Sequence, residues 1–192
     1  MRQQLFFAIL LFTLAGLYAC QPDPGAGRER ITPETPVEVN NLYPEPAVLD
    51  SPPVIKGWVQ YVNSKLEEFE KKGAYTITRD DGNYEVTAWI AGGEIIRLYV
   101  LKPSTRVQQW FYLNRYLIPM LREVGPVGDT GDFYERIYYY TGTDSLIHAR
   151  ERRAETAGEL SDADWYRYEP QGELAADPKA LRRSAIKFIQ GQ

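Results

Sequence analysis

His148 is the only imidazole and Cys20 the only thiol in this chain of 192 residues, and that narrows the available chemistry. A lone histidine cannot build a multi-histidine metal site, and no acidic pair at helical spacing stands near it. Ser145 precedes His148 by three residues but lacks the G-x-S-x-G elbow that presents a hydrolase nucleophile, so a triad has no local support. A general-base role for His148 is the weaker reading. The stronger is a partly exposed structural side chain in a strand. Asp129-Thr130-Gly131 has the letters of an aspartic-protease triplet, but that chemistry needs two carboxylates sharing a proton and an apolar strand before the triplet. Gly125-Pro126-Val127-Gly128 stands there instead, which is loop composition. Asp129, Asp132 and Glu135 miss the spacing of a calcium loop. No catalytic residue, metal or cofactor is assigned.

The aromatic residues are a second resource: fourteen Tyr, seven Phe and four Trp. If residues 110–112 and 138–140 are strands, Trp110 and Tyr112 share one face, as do Tyr138 and Tyr140, because side chains alternate with a period of two. Exposed, such a row could stack on sugars or grip a protein. Buried, it fills a core, which is the commoner outcome. These four are the candidate ligand-binding residues. A net charge of −4 without a basic block argues against nucleic acid, whose phosphates call for a concentrated positive surface.

Cys20 is explained by what precedes it. One positive charge, Arg2, opens the chain. Leu5 to Leu17 is apolar apart from Thr13, and Leu17-Tyr18-Ala19 leads into the cysteine. The apolar run has the length of a signal-peptide core and is too short for a membrane span of about 20 residues. This segment resembles the bacterial lipobox. The resemblance implies a signal peptide over 1–19, cleavage before Cys20, diacylglycerol on its sulfur and acylation of the new amine, so the membrane is one partner. Two or three acyl chains give stable anchoring where one is marginal, and lipidation accounts for a solitary cysteine in a secreted chain. By resemblance to Gram-negative lipoproteins, Gln21 rather than Asp after the cysteine points to the outer membrane.

The elements that position these residues follow from patterning. Eight of the thirteen prolines fall between residues 20 and 53. Proline fixes φ and lacks the amide donor, so 20–50 reads as an extended tether whose last dozen residues dock. At about 3.1 Å per residue it could reach roughly 100 Å. The domain is expected over 51–192. Ile55, Trp58, Val59, Val62, Leu66 and Phe69 make one helical stripe, with Gly73 as its C-terminal cap. Asp80-Asp81-Gly82-Asn83 is turn chemistry between strands.

Three segments then repeat: 88–96, 110–118 and 138–147, each an aromatic-rich strand, a turn and an aliphatic pair. The pattern resembles the tandem β-hairpin lipoproteins common in Bacteroidota. Residues 105–124 also fit a helix interrupted by Pro119, and the repeat favours strands. Residues 150–155 read as a solvent-facing strand, and Trp165 to Glu169 as a final one. Asp177 and Pro178 suit a helix start, with Leu181, Ala185, Phe188 and Ile189 as its apolar stripe. Asp144-Ser145-Leu146 resembles the O-glycosylation site of that phylum, which makes Ser145 a modification candidate.

The expectation is an α+β domain, an antiparallel meander of about six to eight hairpin strands packed with an N-terminal and a C-terminal helix. It would act as a non-catalytic binding or interaction module of the envelope, facing another envelope protein or a glycan. A carbohydrate-binding accessory lipoprotein is the alternative, and a hydrolase the least supported class.

Overall fold

Nine strands form one antiparallel sheet in the computed structural model, which describes residues 27–80, 82–103, 107–113, 118–128, 130–141 and 145–170, together with 183, 185–187 and 190. In chain order these are β1 (Arg30–Ile31), helix α1 (Pro52–Ser64), β2 (Glu70–Arg79), β3 (Gly82–Ala91), β4 (Glu94–Leu101), β5 (Val107–Phe111), β6 (Met120–Pro126), β7 (Phe133–Tyr140), β8 (Leu146–Ala154) and β9 (Trp165–Arg167). The order across the sheet is β1-β9-β8-β7-β6-β5-β4-β3-β2. Strands β2 to β9 therefore run as an uninterrupted meander, and β1 adds to the outer edge of β9.

The sequence repeat is built into this meander. Equivalent repeat positions fall on one transverse row: Trp89 faces Arg97, Arg97 faces Phe111, Phe111 faces Met120, Met120 faces Tyr139, and Tyr139 faces His148. Residues 107–111 and 120–126 are strands. Pro119 sits just outside β6, and its carbonyl accepts a hydrogen bond from the Tyr140 amide at 3.0 Å. A residue without an amide hydrogen is tolerated there because the ladder takes only its acceptor.

Alternation divides the side chains between two cores. Tyr84, Val86, Ala88, Leu98, Val100, Trp110, Leu121 and Tyr138 fill one face. Phe111, Met120, Ile137 and Tyr139 fill the other, where α1 covers them with Ile55, Trp58, Val59 and Val62. Full burial of such a side chain contributes about 1.5–3 kcal/mol. Ile96 is the extra residue of a bulge between the pairs Trp89–Arg97 and Ile90–Ile95. That switch of phase puts Ile96 in the core under α1 while Leu98 stays in the other. Residues 183, 185–187 and 190 are helical, with Ala185 fully buried against the face away from α1. Among the described residues no helix is long and apolar enough to cross a membrane.

Three expectations change. The stripe that suggested a helix to Phe69 leaves α1 at Ser64 and continues through a 3-10 turn, Leu66–Glu68, with Leu66 and Phe69 still packed on the core. Gly73 is not a helix cap. It lies inside β2 at a register shift, with φ +132°, and a Cβ there would stand 2.8 Å from the Val86 carbonyl oxygen.

The proline-rich segment is packed from β1 onward. Arg30 and Ile31 pair with Tyr166 and Trp165. The Val37 amide donates to the Pro53 carbonyl at 3.0 Å, Trp58 Nε1 donates to the Leu42 carbonyl at 3.1 Å, and Leu49 is buried. Gly57 permits this crossing, since a Cβ on it would meet the Val37 carbonyl oxygen at 1.7 Å. Proline bars a helix, but it does not bar an extended segment that buries its few apolar side chains. The third change concerns residues 150–155, expected to face solvent: Arg150 and Glu151 are both buried.

Candidate functional site: a polar cleft around Arg150

Strand β8 carries a charged run whose members leave alternate faces of the sheet. Glu151 points away from α1 and is 1% exposed. It accepts from Arg136 Nε at 2.6 Å and Arg153 Nε at 2.8 Å, and pairs with Arg28 as well. Burial raises its pKa, but the bonds from Arg153 and Arg136 outweigh that and hold the carboxyl below its ordinary value. On the α1 side, Glu135 is held at 2.6 Å by both Arg122 and Arg152. Glu135 is therefore an ion-pair partner of arginines rather than a calcium ligand. Among the described residues no cluster of three His, Cys, Asp or Glu could hold a metal ion.

Arg150 is different. It is 7% exposed and points to the α1 side. Its guanidinium lies 4.4 Å from the Trp165 ring centroid and 5.6 Å from that of Tyr139. Such stacking stabilises a cation by about 0.5–2 kcal/mol. Among the described residues it forms no ion pair, and its Nε, buried from solvent, has no hydrogen-bond partner.

Arg150 lines a cleft of about 330 Å³ whose floor is Tyr139, His148 and Arg150 and whose wall is Glu29 to Thr32 with Glu34. Pro52, the first residue of α1, closes one end. The cleft exists because α1 covers only part of its face, while the chain after β1 turns back across the remainder to reach Val37. Ring stacking on Tyr139, centroids 6.4 Å apart, fixes His148. Burial lowers the His148 pKa, Arg150 and Arg167 add to that, and Glu34 and Glu29 oppose it, which favours the neutral imidazole. Burial likewise raises the Tyr139 hydroxyl. At the rim, Lys56 donates to the Glu34 carbonyl at 3.1 Å. Its pKa is lowered by burial and by Arg150 against the pull of Glu34. Glu29 and Arg30 are engaged with Arg167 and Asp164.

No protein family, no curated protein and no solved structure matches the chain. Its site must be read from its own geometry.

That geometry places the sequence candidates as follows. Trp110 and Tyr112 are 1% exposed and Tyr138 2%, and Tyr140 is half-buried against the same core. These rings share one face as the strand period required, but the face is covered. The described residues therefore offer no open row of these four rings on which a sugar could stack. Burial holds the Tyr138 hydroxyl far above its ordinary pKa. Ser145 is exposed, and its carbonyl accepts from the Thr141 amide at 2.9 Å. Cys20 and Asp129 lie outside the described residues. Arg150 carried no sequence signal, because its neighbours Ala149, Glu151 and Arg152 show no apolar alternation.

Proposed function

We propose that the chain is a non-catalytic binding module of the cell envelope, held to the outer membrane by lipid on Cys20, whose binding site is the cleft around Arg150. The observation behind the binding half of this reading is a buried cation that has no acidic partner among the described residues and lines a preformed polar cleft. A pocket of this size, with a few convergent polar groups, is what a small ligand or a chain end needs. The anchoring half rests on the apolar segment and Ala19-Cys20. The same reading takes the fold as α+β, the sheet bearing a helix on each face, and its partner as another envelope protein or a glycan that enters the cleft by one end. Nucleic acid is not a partner of so acidic a chain, and no cofactor is invoked. A hydrolase gains one observation, His148 in a cleft with Glu34 and the Thr32 hydroxyl, and stays the least supported class because no motif presents a nucleophile.

The test uses the full chain with its N-terminal segment intact in a Gram-negative host. Acyl label should appear on the wild type and vanish in Cys20→Ser. Crosslinking in membranes should capture a specific protein or glycan that is lost when His148→Trp fills the cleft. An unlabelled wild type overturns the anchor, and capture unchanged by His148→Trp overturns the cleft as binding site.

A further inference from the structure

Resting on the cleft as binding site, we infer that its occupant presents a carboxylate, as a small organic acid or the free C-terminus of a peptide, and that Arg150 receives it. Three observations converge on this. The first is Arg150 itself. A buried charge is normally compensated, since an unpaired one is costly in a low-dielectric interior. The other well-buried charges on β7 and β8 obey this: Glu135 holds two arginines and Glu151 three. Among the described residues Arg150 has only two ring faces, and its buried Nε–H has no acceptor. The planar guanidinium fork matches a carboxylate in bidentate geometry. An acid entering the cleft would complete the site as an internal acid completes the others.

The second observation is the end of α1. This helix of thirteen residues begins at Pro52, on the cleft, and its Ser51 cap makes no side-chain bond. A helix start carries partial positive charge and favours an anion. The first two positions are Pro52 and Pro53, which have no amide hydrogen, so this end contributes mostly field. Arg150 must supply the directed bonds.

The third observation is the charge balance of the lining. Arg30 and Glu29 are already paired. Within the lining that leaves Arg150 against the single carboxylate of Glu34, and the Lys56 ammonium, outside the lining but bonded to the Glu34 carbonyl, brings an excess of one positive charge around the cleft. One excess charge suits a monocarboxylate. A phosphate dianion would meet Glu34 at the mouth with too few cations to offset it.

The experiment is an NMR titration of the full chain, read at the Arg150 side-chain Nε–H and the His148 ring. Acetate, N-acetyl-Ala-Ala, its C-terminal amide and inorganic phosphate are the probes. The acids should shift both signals saturably, while the amide and phosphate leave them in place. Acetate and peptide acid binding alike indicates a small-acid site, and preference for the peptide acid a chain-end site. Arg150→Lys keeps the charge and loses the fork, and should weaken binding by about tenfold or more. Arg150→Met should abolish binding and raise Tm, because the methionine fills the space between two rings without a buried charge. The inference is overturned if no acid gives a saturable shift, if phosphate binds as well as the acids, or if Arg150→Met still binds. Capture in membranes that depends on an open cleft, combined with no acid binding, would overturn the ligand class and leave the binding module standing.

Discussion

On β8 the side chains of Arg150 and Glu151 leave opposite faces of the sheet, and both are buried. Glu151 sits among Arg28, Arg136 and Arg153, and Arg136 in turn stacks on Tyr134 and Tyr168 at 4.2 and 4.4 Å. Arg150 has rings on its flanks and an open cleft at its tip. One residue is a finished structural knot that ties β1's lead-in, β7 and β8 together. The other has rings but, among the described residues, no acid. The contrast separates a buried charge completed within the fold from one that the fold leaves incomplete. Depth of burial does not separate them, but completeness of pairing does.

That contrast can be broken from either side. Glu151→Gln leaves three arginines without their acid and should cost about 3–5 kcal/mol in urea unfolding; a loss below 1 kcal/mol would mean the knot is not structural. Gly57→Ala drives a methyl group into the Val37 carbonyl. Overpacking of this kind costs about 1–3 kcal/mol, more than the helix gains from alanine, so the urea midpoint should fall. The change should also loosen the wall of the cleft and weaken acid binding. Arg150→Met should act in the other direction, stabilising the ligand-free chain by about 1–2 kcal/mol. Destabilisation there would make Arg150 a structural residue like its neighbour.

The smallest effect is in pH. His148 is held below its ordinary 6.5 by burial first. The unfolded chain therefore takes up this proton before the folded chain does. The stability tied to the neutral ring is complete above that value and drains away as pH falls through the folded pKa. Glu151, also lowered, gives a second loss as pH falls from its ordinary 4.5 through the folded value. His148→Gln should remove the first loss from a series of urea midpoints against pH and leave the second in place.

Much of the scaffold was legible from patterning. The α1 stripe identified four of its buried residues, and the three repeats marked the hairpins whose equivalent positions lie on one row. The phase of Trp110, Tyr112, Tyr138 and Tyr140 was legible too. Whether anything covered their face was not, because that depends on parts of the chain remote from them. The cleft was illegible for the same reason. Arg150 and Glu151 are both charged, so β8 shows no period-two signal. What buries them comes from the far end of the sequence: Arg28 on one face, Ile31 to Glu34 and α1 on the other. Gly57 was a signal available and unused. A glycine inside an apolar helical stripe costs the helix about 1 kcal/mol, and such a residue marks where another backbone crosses.

β1 has only two residue pairs in the ladder, Arg30 with Tyr166 and Ile31 with Trp165, ion pairs of Arg28, Glu29 and Arg30 reinforce that edge, and the residues just around it form the wall over Arg150. On the proposed tether at Cys20, a pull between bilayer and domain would enter through the Arg28–Glu151 pair and this short edge strand. Lifting the strand would uncover the cleft. On those two proposals occupancy and tension would be linked: an occupant bridging floor and wall would stiffen the attachment, and by reciprocity a taut attachment would lower the affinity for that occupant.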